Sequence, residues 1–99
     1  MATNVDAVLG IGGTSPAFLL VGNCDVVVQG LTTGAVKLQY RLSPTVALPV
    51  PEWKDFPDGS FIVDTYQTIF ISDHGVIFRL LGVGNNAGVY VRMAKFMND

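Results

Sequence analysis

The feature that most narrows what this chain can fold into is its punctuation. Turn-forming residues return at intervals of about 8–12 residues. They stand at Gly12-Gly-Thr-Ser-Pro16, Gly22-Asn23, residues 30–34, Ser43-Pro44, Pro49 and Pro51, Pro57-Asp-Gly59, Ser72-Asp-His-Gly75 and residues 82–88. Between them lie short runs rich in Val, Ile, Phe, Leu and Tyr, the composition of strands. No stretch keeps apolar residues at i, i+3, i+4 and i+7 for long enough to lay a helix on a core. Frequent glycine and β-branched residues weaken helices further. The pattern predicts a single all-β domain over residues 1–99. Its expected architecture is an antiparallel β-sandwich or flattened barrel of about seven to nine strands.

Alternation assigns the faces, because successive side chains on a strand point to opposite sides. Residues 35–43 set Val36, Leu38, Tyr40 and Leu42 against Lys37, Gln39 and Arg41. Residues 88–96 set Val89, Val91 and Met93 against Tyr90, Arg92 and Ala94, a second set that is itself half apolar. Phe61, Val63 and Thr65 oppose Ile62 and Asp64 on a further short strand. Phe18-Leu-Leu-Val21, Val26-Val-Val28, Ile69-Phe-Ile71 and Val76-Ile-Phe78 are apolar throughout, which predicts strands covered on both faces. Hairpins are expected across Pro57-Asp58-Gly59-Ser60, across Asp73-His74-Gly75 and across the glycine-rich 82–88 loop.

Composition matters at this point, because 49% of the residues are hydrophobic and only 14% charged. Ordinary soluble domains carry about 25% charged residues, and a small domain, with proportionally more surface, needs them more. The apolar excess is expected to be covered by other subunits, since large bare apolar patches on monomers are uncommon. Two segments are candidates for that contact. Residues 1–9 read either as a first strand or as an extended arm offering Val5 and Leu9 to a neighbour. The loop Pro44-Thr-Val-Ala-Leu-Pro-Val-Pro51 displays Val46, Leu48 and Val50, and its prolines hold it extended at reduced ordering cost. It either folds back on its own sandwich or projects to dock on a neighbouring subunit.

Several functions find no support in the residues. No run approaches the ~20 apolar residues of a membrane-spanning helix. The six basic residues are scattered and the net charge is −2, so the basic stripe of a nucleic-acid-binding protein is missing. The opening Met1-Ala-Thr-Asn-Val-Asp6 lacks the basic start and apolar stretch of a signal peptide. With the lone Cys24 it leads to the expectation of synthesis in a reducing cytoplasm. Cys24 precedes Asp25-Val-Val-Val28 and reads as a half-buried strand thiol without cationic neighbours to activate it.

Catalytic and ligand chemistry is equally thin. Gly82-Val-Gly84-Asn-Asn-Ala87 has the letters of a dinucleotide fingerprint, but a strand-like Gly88-Val-Tyr-Val91 follows where a helix is required. Gly10-Ile-Gly-Gly-Thr-Ser15 lacks the Lys-Ser/Thr pair of a phosphate-binding loop. His74, the only histidine, sits beside Ser72 and Asp73 on a tight turn, where a catalytic triad cannot readily assemble. One His and one Cys make zinc improbable, and Asp58, Asp64 and Asp73 have no calcium-ligand spacing. Glu52 and Asp55 flank Trp53 without the geometry of an acid/base pair. No catalytic residue, metal or cofactor is expected. Trp53, the only tryptophan, reads more readily as a core anchor than as a ligand platform.

Four segments carry a family resemblance: Val36-Lys-Leu-Gln-Tyr-Arg41, Glu52-Trp-Lys-Asp-Phe56, Ser60-Phe-Ile-Val-Asp64 and Val76-Ile-Phe-Arg-Leu80. Across residues 35–92 they resemble a pattern in small tailed-phage and prophage virion proteins of the capsid decoration or cement type. In that pattern a Leu-Gln-Tyr strand leads to a Trp-containing strand and later to an aromatic-Arg-Leu strand. The resemblance implies two hairpins sharing one core, with Leu38, Tyr40, Trp53, Phe56, Phe61 and Phe78 as anchors. It implies a homo-oligomer, often a trimer, that binds a major capsid protein between capsomers, stabilises the shell without a cofactor, and resides in the virion. The proline-rich 44–51 loop departs from the shorter glycine-rich turn of the pattern. Two alternatives stand beside this one: a carbohydrate- or receptor-binding accessory module, which needs Trp53 and tyrosines exposed together, and a tail or head–tail connector subunit.

Overall fold

The computed structural model describes residues 4–42, 44–72 and 76–95. Within them the chain forms β1 (Val5–Leu9), β2 (Gly22–Gln29), β3 (Ala35–Leu42), β4 (Lys54–Phe61), β5 (Thr65–Ile71), β6 (Val76–Val83) and β7 (Val89–Lys95). There is no helix among the described residues, and the strands pair antiparallel in two sheets, β1-β7-β2-β5 and β4-β3-β6. The all-β sandwich expected from the punctuation is what forms.

The second sheet has a further member that is not a regular strand. Segment 14–18 bridges β6 at Thr14–Leu81 and Phe18–Phe78. Phe18 and Phe78 exchange both backbone hydrogen bonds, at 3.0 and 2.9 Å. Pro16 interrupts the ladder because it has no N–H and restricts the residue before it. The Leu80 N–H is satisfied instead by Ser15 Oγ at 2.9 Å, which explains a buried serine in an apolar layer. Counted as an eighth strand, this segment completes the order of a jelly roll. One sheet then holds the first, last, third and sixth strands, and the other the second, seventh, fourth and fifth.

The core lies between the sheets and is built from the alternate residues of each strand. Val5 and Leu9 of β1 pair in register with Met93 and Val89 of β7, and Val26 and Val28 of β2 pair with Met93 and Val91. All six are buried. From the facing sheet come Val36 and Leu38, Phe61, and Val76, Phe78 and Leu80. Phe78 sits at the centre, 6.0 Å from the Phe18 ring and 6.1 Å from the Phe56 ring.

Several local expectations are corrected. Pro57-Asp58-Gly59-Ser60 is not a hairpin turn but lies inside β4. Between Lys37↔Ser60 and Gln39↔Asp55, two residues along β3 are matched by five along β4, so the extra residues bulge out. Asp58 takes the left-handed conformation (φ 59°) that a bulge, like a turn, demands. Gly59 is buried, with space so tight that a Cβ would lie 3.0 Å from that of Leu38. The residues 62–64 are not strand either; they carry the chain from β4 in one sheet to β5 in the other.

The 82–88 loop likewise crosses between sheets, from β6 to β7. The hairpin expected at Asp73-His74-Gly75 lies outside the described residues, as does His74, and the strands on either side of it pair in different sheets. Jelly-roll order separates most consecutive strands, and turn residues do not distinguish a hairpin from an arch. Only β3 and β4 are both consecutive and paired.

Two asparagines tie these arches together. Asn85, buried at the start of the crossing loop, accepts from Gly12 N at 2.9 Å and donates to Gly10 O at 3.0 Å. Asn86 accepts from Thr32 N at 2.8 Å and donates to Gly30 O at 2.8 Å. Asp64 Oδ1 takes the Leu31 N–H at 2.9 Å. Side chains thus supply the backbone pairing that the loops lack.

Candidate interaction surface

The residues picked out as interface or anchor separate into three groups. Val5 and Leu9 are buried, because β1 is a paired strand rather than a free arm, and they are unavailable to a neighbour. Leu38, Phe61 and Phe78 are core residues; Tyr40 and Phe56 are partly buried against that core, edge to face at 6.3 Å. Trp53 is not a core anchor. It has the same parity as Asp55, which pairs with the outward-facing Gln39, so its ring lies on the outer face of the β4-β3-β6 sheet. Cys24, expected to be half-buried, is fully enclosed.

The 44–53 loop is held partly against its own sandwich and partly away from it. Thr45 N donates to Leu48 O, and Leu48 N to Thr45 Oγ1, both at 3.0 Å, so the loop closes a turn on itself. Pro51 is buried, and with Leu48 it walls a cleft of about 280 Å³ whose other sides are Tyr40, Arg41, Leu42, Glu52 and Lys54. Val46 is fully exposed and Val50 is 80% exposed.

Beside this cleft, the outer face of the three-stranded sheet carries a connected polar row. Lys37 Nζ donates to Asp55 Oδ2 at 3.4 Å, and Gln39 Nε2 donates to Asp55 Oδ1 at 2.9 Å. Arg79 Nε donates to Gln39 Oε1 at 2.9 Å. The guanidinium carbons of Arg79 and Arg41 lie 4.4 and 4.7 Å from the centre of the Trp53 ring, a cation–π arrangement. Burial first, and the like charge of Arg41 second, push the Arg79 pKa down. The Gln39 hydrogen bond is the main reason the Asp55 carboxyl is held below its usual value; partial desolvation opposes it and the Lys37 charge adds to it. Ile77, paired with Arg41 on this same face, is buried although it is outside the core cluster.

The outer face of the other sheet is different in character. Tyr66 and Phe70 of β5 stand 73% and 63% exposed, beside the half-buried Val27 of β2. Tyr90 donates to Asp6 Oδ2 at 3.2 Å; its hydroxyl pKa is raised, first by desolvation and then by that hydrogen bond. The run Ile69-Phe-Ile71 is therefore not covered on both faces, nor are Leu19 and Val21; of the four apolar runs only Val76–Phe78 is.

The aromatics do not form one platform. Trp53 and Tyr66 lie on opposite outer faces, and Tyr40 points inward. Among the described residues no three His, Cys, Asp or Glu side chains come together in a metal-binding group. Asp73, part of the calcium consideration, lies outside the described residues. No protein-family model, curated protein or solved structure matches this chain.

Proposed function

We propose that the chain is a non-enzymatic structural subunit of a larger protein assembly, acting as a homo-oligomer that packs against other shell or particle proteins in the manner of a capsid decoration protein. The observation that carries this reading is the exposure of large apolar side chains after the core is complete. Ile11, Val46, Val50, Ile62, Tyr66 and Phe70 are each more than 60% exposed, while the chain is already closed on an apolar interior. Scattered surface hydrophobics are ordinary, but Leu42, Val46, Leu48 and Val50 gather around the loop, and Tyr66 and Phe70 stand on one sheet face on either side of the Thr68–Asp25 hydrogen bond. The phage-particle component of the reading rests on the sequence resemblance across residues 35–92. The jelly-roll order is compatible with it, since viral capsid and lectin domains both use that fold.

The sheet edges support assembly as well. Edge strands are normally blunted by charge, proline, bulges, shortness or cover. Here β4 carries Lys54, Asp55, Pro57 and a bulge, β1 is five residues long with Asp6, and β6 is covered by segment 14–18. β5, Thr-Tyr-Gln-Thr-Ile-Phe-Ile, has none of these devices and no described partner on its outer side. Analytical ultracentrifugation of the purified chain at micromolar concentration tests the proposal. A discrete oligomer is expected; a well-behaved monomer over that range overturns it.

A further inference from the structure

We infer that Arg41 and Arg79, stacked on Trp53, form a receptor for a carboxylate carried by an acidic peptide segment of a partner protein. The inference goes beyond the assembly reading and does not depend on it, since a monomer could bind such a peptide equally well.

Three observations converge on the site. First, Arg41 Nε is enclosed and has no hydrogen-bond acceptor among the described residues, so an anion approaching this guanidinium meets it at the Nη end. A buried donor left unpaired is costly, and native structures keep few of them. Second, neither guanidinium has an anionic partner among the described residues. The ion pair Lys37–Asp55 is the one found among the described residues, and Arg79 is hydrogen-bonded only to the neutral Gln39. Two arginines brought to within 4.4 and 4.7 Å of one ring repel each other, and a shared anion relieves that repulsion. Third, Arg41 is also a wall of the 280 Å³ cleft, so a group entering the cleft reaches it.

The local charge favours an anion despite a chain that is acidic overall. Lys37, Arg41, Lys54 and Arg79, four of the six basic residues, lie on this face or the cleft rim, against Asp55 and Glu52. Their sum is +2, within a chain of net charge −2.

The chemistry of the walls selects the ligand. Guanidinium forks match planar carboxylates, with paired N–H donors meeting paired oxygens. Tyr40, Leu42, Leu48 and Pro51 add an apolar wall that suits a side chain flanking the acidic one. The Trp53 ring already carries guanidinium groups, so it is not a bare surface for a sugar to stack upon. Glu52, in the same cleft, opposes the anion and sets a modest affinity.

Trp53 is the only tryptophan, so its fluorescence reports on the site directly. The full chain is titrated with hexaglutamate, with hexalysine, glucuronate and sodium chloride at matched ionic strength as separate arms. Saturable change with hexaglutamate alone is expected, together with a shift of the Arg41 guanidinium Nη–H resonances in a nitrogen-15 spectrum. R41Q and R79Q are each expected to weaken binding at least tenfold, R79K to weaken it less, and E52Q to strengthen it, with thermal melts confirming that the variants are folded. No saturable response, an unmoved Arg41 resonance, or equal binding by folded R41Q overturns the inference. Saturation by glucuronate but not by the peptide overturns the peptide assignment.

Discussion

A few positions carry geometric demands that no other residue type meets. Gly34 adopts φ 69°, and a Cβ there would run into the Gly84 carbonyl of the crossing loop. The left-handed conformation alone costs a non-glycine residue of order 1 kcal/mol, and the clash with a backbone that cannot move aside adds to it. Gly34→Ala is expected to lose more than about 2 kcal/mol of stability by urea denaturation, and a loss below about 0.5 kcal/mol, the range of ordinary surface changes, would show that the loop shifts to make room. Ser15 is a second such position. Its removal leaves the Leu80 N–H unpaired in the interior, so Ser15→Ala should cost about 1–3 kcal/mol, and a neutral result would show that another acceptor takes its place.

Asp55 makes a prediction in pH. Its folded pKa lies below the ordinary 3.8, so the folded state binds its proton less readily than the unfolded state does. The stabilisation is then present above about 3.8 and disappears as pH falls through the lower folded value. The stability difference between the natural chain and Asp55→Asn, read from urea midpoints, should shrink as pH is taken below 3.8. A difference that stays constant would mean that the carboxylate charge contributes nothing. Because this side chain is more than half exposed, the effect will be small.

At the scale of elements, the 44–53 loop and β5 test whether exposed apolar groups serve assembly. Val46 and Val50 touch little of their own domain. Replacing both with serine should leave the unfolding midpoint within about 0.5 kcal/mol of the natural chain while reducing oligomer stability in sedimentation. Equal loss of both properties would place the loop in the domain's own packing. Tyr66→Ser with Phe70→Ser asks the same of the β5 face. Strand parity in residues 35–42 and 89–95 was legible in the sequence, because alternation follows from backbone geometry alone. Trp53 shows where such reading stops. A lone tryptophan in a sandwich suggests a buried anchor, and only the register of β4 on β3 fixes which side of the sheet it takes.

At the scale of the whole molecule, the core-facing side of the second sheet is held by aromatic residues from three of its members. Phe78 contacts Phe18 on one side and Phe56 on the other, stacked with the first and edge to face with the second. Phe78→Ala should cost about 3–5 kcal/mol, a large part of a total stability of order 5–15 kcal/mol. A urea midpoint lowered to match would be the sign of it, and a much smaller loss would show that segment 14–18 collapses into the space.

Sequence by itself determined that the chain is β throughout, which residues of 35–42 and 89–95 share a face, and that the composition is unusually apolar. These properties are local or additive: backbone sterics set the period, and composition sets the excess. Tertiary structure decided the strand order, the bulge in β4, the burial of Val5 and Leu9, and the meeting of Arg41 and Arg79 on Trp53. Each depends on register between segments far apart in the chain. A turn residue permits both a hairpin and an arch, and only the packing of two sheets around one core selects between them.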